Sequence, residues 1–131
     1  MTDILDHLRH EVLLCDGAMG SRLQQADLDV EIDYWGQENC SEILNLSRPD
    51  IVREIQRGFV AAGADILLTN TFGGSEITLS EFDLQDRTFE INKIAAELAK
   101  WHEQVTTGKR INKLSDEPWS TSEIHQLRKS L

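Results

Sequence analysis

Apolar residues fall along this chain in two short continuous runs and in longer stripes at helical spacing. Val12 to Cys15 is the first run and Ile66 to Leu68 the second. Such unbroken runs predict parallel strands covered on both faces, with Cys15 a small core residue. Ile4, Leu5 and Leu8 predict a short amphipathic helix over 3–10. Gly17 and Gly20 allow a tight turn, after which Met19, Leu23 and Leu28 show weaker helical spacing. Residues 29–45 lack a period, and Tyr34, Trp35 and Gly36 are the expected loop anchors. Ser47-Arg-Pro-Asp50 predicts a helix start, with a Ser N-cap, Pro in the first turn and an acid three residues on. Ile51, Val52, Ile55, Phe59 and Val60 make one apolar stripe, and Gly63 suits the left-handed residue past its end. Strand, helix, strand implies a right-handed crossover and a parallel pair. Residues 73–82 predict a loop with paired glycines. A second long helix, about Asp86 to His102, is expected to bury Phe89, Ile94, Leu98 and Trp101. Residues 106–118 read as a linker, and Ser120 to Leu131 as a last helix capped by Ser120 or Thr121.

Charge sharpens that boundary. The 131 residues carry a net charge of -10, but residues 1–99 hold -12 and residues 100–131 hold +2. An acidic surface argues against nucleic acid or an anionic membrane as the main partner. No apolar run approaches the roughly 18 residues of a membrane span. The acidic N-terminus lacks the apolar core of a signal peptide, so a cytoplasmic location is expected. Two cysteines, Cys15 and Cys40, are too few for a disulfide scaffold.

Candidate chemistry gathers where the strands end. Asp16 follows the first run directly, beside the N–H groups of a glycine turn. Its carboxylate either caps that turn or holds a substrate ammonium. Asn70, Thr71 and Phe72 end the second run in the same way, and two parallel strand ends open on one face. Neither glycine turn matches a phosphate-binding loop or a dinucleotide fingerprint. His7, His10, His102 and His125 lie on expected helices without a completing cysteine or carboxylate cluster, so solvated histidines are expected rather than a metal site.

At these residues the chain resembles the homocysteine S-methyltransferase family. It is most similar to the N-terminal homocysteine-binding module of the cobalamin-dependent members. The matching segments are Leu14-Cys-Asp-Gly-Ala-Met-Gly20, Asn39-Cys-Ser-Glu-Ile-Leu-Asn-Leu-Ser-Arg-Pro-Asp50 and Ala61-Ala-Gly-Ala-Asp-Ile-Leu-Leu-Thr-Asn-Thr-Phe-Gly-Gly74. Arg87-Thr-Phe-Glu-Ile-Asn92 and Ala95-Ala-Glu-Leu-Ala99 match as well, so the likeness covers roughly residues 8–100. It implies an α/β fold, the first two or so βα units of a TIM (β/α)₈ barrel, over residues 1–104. A linker and a short helical tail outside the family would occupy 105–131. A whole barrel takes about 250 residues.

The resemblance implies methyl transfer to the thiol of homocysteine, as in methionine biosynthesis. Asp16 and Gly17 would face the amino-acid end of homocysteine, with Asn70, Thr71 and Phe72 lining the same mouth. The family binds zinc through three cysteines, a lone one and an adjacent pair on later strands. Neither Cys15 nor Cys40 occupies those positions, so no zinc ligand set is expected here. A truncated segment inactive alone is the leading expectation, with self-association through exposed sheet edges. The alternatives are a non-catalytic module docking on an intact partner and a degenerate or frameshifted gene product. Glu117-Pro-Trp-Ser-Thr-Ser-Glu-Ile-His-Gln-Leu-Arg128 resembles the opening of a small helical DNA-binding module, too short to fold as one.

Overall fold

The apolar stripes organise two adjoining cores. In the computed structural model, residues 4–105 are described. They form six α-helices: α1 (Ile4–His10), α2 (Met19–Gln25), α3 (Leu44–Ser47), α4 (Pro49–Ala61), α5 (Glu76–Ser80) and α6 (Thr88–Val105). Single 3₁₀ turns at Ser41–Ile43 and Gln85–Arg87 lead into α3 and α6. Leu23, Leu44, Val52, Ile55 and Leu98 make one core, where α2, α3, α4 and α6 meet. Cys40, Ile43, Leu79 and Ile91 make the other, beneath α5. The expected linker (106–118), final helix (Ser120 to Leu131) and DNA-module-like stretch lie outside the described residues, as does His125.

The strand expectation is corrected. No named strand occurs among the described residues, only one parallel bridge between Cys15 and Ile66. Asp65 and Ile66 donate their N–H groups to Leu14 O (2.8 and 3.1 Å), and Asp16 N–H donates to Ile66 O (2.9 Å). A parallel ladder would next spend Leu68 N–H on the main-chain oxygen of Asp16 and Leu14 N–H on that of Ala64. Side chains take both instead: Leu68 N–H donates to Asp16 Oδ2 and Leu14 N–H to Asp65 Oδ2, each at 3.1 Å. Carboxylates therefore cap the pairing at both ends. The runs are not covered on both faces either: Val12 is 84% exposed, and Leu14, Leu68 and Cys15 also face solvent.

Several helical details differ from the pattern. Helix α4 begins at Pro49 with Arg48 as its cap residue, and no side chain caps it. Ser47 Oγ donates instead to the carbonyls of Asp33 and Ile43. Arg48 bridges Asp33 (3.2 Å) and Asp50 (3.1 and 3.0 Å), tying the irregular 29–36 segment to the helix start. Its far end follows expectation. Gly63 has φ +106°, Gly63 N–H donates to Val60 O and Ala64 N–H to Phe59 O, the double bond of a Schellman cap.

The expected 73–82 loop contains α5, capped by Ser75, whose hydroxyl accepts Thr78 N–H at 3.2 Å. The buried side of α6 follows expectation in part: Leu98 is buried and Ile94 packs partly buried against the core. Ile91, Ala95, Leu98 and His102 are buried, while Phe89 is half exposed. The side chain of Trp101 lies outside the described set. His102, expected to be solvated, is 3% exposed because it sits on this inward stripe. Helix α1 forms as expected but buries no residue.

Candidate functional site

Asp16 stands where the paired segments part. Leu68 N–H fixes Oδ2, while Oδ1 is shielded from water with no hydrogen-bond partner. Burial pushes the carboxyl above its ordinary pKa, partly offset by N–H groups of Leu68 and of Asp16 itself. A buried carboxylate oxygen lacking a donor is costly. Gly17 lies against Phe59 of α4. A Cβ there would come 3.0 Å from the ring, so the glycine lets the turn sit close to the helix.

The second strand end divides its residues between two directions. Asn70 turns inward and is buried. Its Nδ2 donates to Ser41 O (2.8 Å) and Asn45 Oδ1 (3.1 Å), and its carbonyl accepts Asn45 Nδ2 at 2.8 Å. Thr71 Oγ1 is 2.8 Å from Thr69 Oγ1. Phe72 is fully exposed at the crest of a turn that Gly74 N–H closes on Thr71 O at 3.0 Å. Asp16 thus meets the second strand end at Leu68, with Thr69, Thr71 and Phe72 continuing outward.

Residues that hold this turn were not singled out by the sequence pattern. Glu42 Oε1 accepts Gly73 N–H at 2.6 Å, and Asn92 Nδ2 donates to Gly74 O at 2.7 Å. A Cβ at Gly74 would lie 2.9 Å from Asn92 Oδ1. The available signal was polarity out of place: Glu42 and Asn45 flank the apolar pair Ile43-Leu44, and Asn92 follows inward-facing Ile91. A cavity of about 430 Å³ lies elsewhere, lined by Trp35, Pro49, Arg87, Ile94 and Leu98 among others, and includes none of the five expected site residues.

The cysteines do not fit a zinc site. Cys40 is buried, with Sγ 4.0 Å from Glu42 Oε2, and burial raises its thiol pKa, opposing the thiolate a metal needs. Cys15 is exposed. Among the described residues no group of three His, Cys, Asp or Glu side chains could hold a metal ion. No described helix is long and apolar enough to cross a membrane.

Comparison with known proteins brings these residues into one frame. Residues 13–114 match the family model described as homocysteine S-methyltransferase. Methionine synthase of Mycobacterium tuberculosis (strain ATCC 25618 / H37Rv) is 43% identical over 99 residues, and that of Mycobacterium leprae (strain TN) is 40% identical over 99. Each alignment covers 76% of this chain and 8% of the relative. The chain is homologous to the N-terminal part of methionine synthase, and the match spans a small fraction of it.

Proposed function

Because the chain belongs to the homocysteine S-methyltransferase family, we propose that residues 12–104 act as the first two strand–helix units of a TIM-type barrel. They supply the wall that receives the amino-acid end of homocysteine. The reaction served is methyl transfer to the homocysteine thiol. Asp16 accepts the substrate ammonium, Gly17 keeps the turn close to α4, and Thr71 and Phe72 border the mouth. Asn70 sets the position of the second strand end from behind. Further strands complete the pocket and carry the thiol-activating chemistry.

One observation carries this reading: Asp16 stands at the end of the paired segments with Oδ2 fixed by Leu68 N–H. A carboxylate held in place at a strand end suits an ammonium donor.

The test is a graft. Residues 13–104 replace the homologous segment of the M. tuberculosis methionine synthase, with and without Asp16→Asn. The graft retains homocysteine methylation. Asp16→Asn removes a charge-assisted hydrogen bond of about 1.5–3 kcal/mol, so KM for homocysteine rises roughly tenfold to a hundredfold. A folded, active graft whose KM ignores the substitution contradicts the assignment.

A further inference from the structure

The geometry points to Glu42 as a positioning residue that holds the Thr71–Gly74 turn, and with it Thr71 and Phe72, in place. The inference rests on the reading of those two residues as part of the substrate mouth.

In a four-residue turn the last N–H bonds back to the first carbonyl, as Gly74 N–H does to Thr71 O. The N–H of the third residue points away from the turn and needs another acceptor. Here that group is Gly73 N–H, and Glu42 Oε1 meets it at 2.6 Å. Glu42 comes from the 3₁₀ turn before α3, and is only 4% exposed. Ser41 Oγ lies 3.4 Å from Oε2 and Cys40 Sγ 4.0 Å from it. A Cβ at residue 73 would stand 3.1–3.2 Å from the carboxylate atoms, so glycine there permits the approach.

Burying a carboxylate is expensive unless it is hydrogen-bonded. A buried acid aimed at one loop N–H spends that cost on a turn whose next-door side chain, Phe72, is fully exposed. Core packing gains nothing from such a group, whereas a mouth that must keep one shape does.

Amide exchange and proton shifts in the full chain test the inference without homocysteine, so a failure of the substrate reading in the graft assay stays separate. Gly73 N–H should sit downfield and exchange at least tenfold more slowly than an unstructured amide. Glu42→Ala removes both effects at Gly73 while amides of α4 keep their rates. Glu42→Gln keeps an acceptor but loses the charge. Gly73 N–H then moves upfield and exchanges several-fold faster, with α4 again unchanged. That milder variant carries the test even where the alanine variant does not fold. An unprotected Gly73 in the parent chain overturns the inference. So does a Gly73 amide indifferent to Glu42→Gln, or a uniform loss of protection across α4 and Gly73.

Discussion

Gly58 lies on the outer side of α4 with open space where a Cβ would stand, and Gly63 ends the same helix at φ +106°. A methyl group therefore acts oppositely at the two positions. Gly58→Ala should stabilise the chain by about 0.5–1 kcal/mol, since alanine loses less backbone entropy in a helix. Gly63→Ala should destabilise it by about 1–2 kcal/mol, because an L side chain resists positive φ. Urea midpoints measure both, and equal signs would contradict the capping geometry. Buried titratable groups give a second residue-scale signal. Burial, then the charges of Arg57 and Arg53 on α4, lowers the pKa of His102. The unfolded chain then binds more protons than the native one below about pH 6.5, so stability falls as pH drops through that window. The raised carboxyl of Asp16 acts with the other sign, its native form holding a proton to higher pH than the unfolded chain. Replacing His102 with Gln should flatten the slope of stability against pH from about 6.5 downward. An unchanged slope would mean that another group titrates there.

At the scale of elements, α4 and α6 carry the packing. Leu98 reaches from α6 into the core beside Val52 and Ile55 and is 2% exposed. Leu98→Ala should cost about 2–5 kcal/mol, read from chemical denaturation. A loss under 1 kcal/mol would show that the site collapses around the smaller side chain. Much of this element plan was legible in the sequence. The α4 stripe and the glycine after it follow local rules, and the structure keeps them. The start of α4 was misread because the Ser47 hydroxyl donates to the carbonyls of Asp33 and Ile43 instead of accepting a helix N–H. The inward side of α6 was read in part: Leu98 and Ile94 pack as expected, while Ile91, Ala95 and His102 were passed over and Phe89 is half exposed. The strands were misread in extent. Their pairing partner and parallel sense are right, but Asp16 and Asp65 side chains intercept the ladder, and a tertiary event of that kind leaves no periodic trace.

Over the whole molecule, Val12, Leu14, Leu68 and Phe72 are exposed apolar side chains in and after the paired segments. No named strand flanks the paired segments among the described residues, which leaves them a template for further pairing. Sedimentation velocity should show association that grows with concentration, and Leu68→Lys should weaken it. A monomer at every concentration would contradict this view of the paired segments. The five expected site residues were singled out because they sit at the ends of the two apolar runs. Glu42, Asn45 and Asn92, which hold the second strand end and the turn after it, were not singled out, because each acts across more than ten residues of chain. On the proposed function, this wall forms a homocysteine site only with further strands. The most direct test of that dependence is calorimetric titration of homocysteine into the isolated chain, alongside Asp16→Asn. Neither protein should give saturable heat. Stoichiometric binding by the parent chain, weakened by the substitution, would contradict the account and make the chain a self-sufficient substrate-binding module.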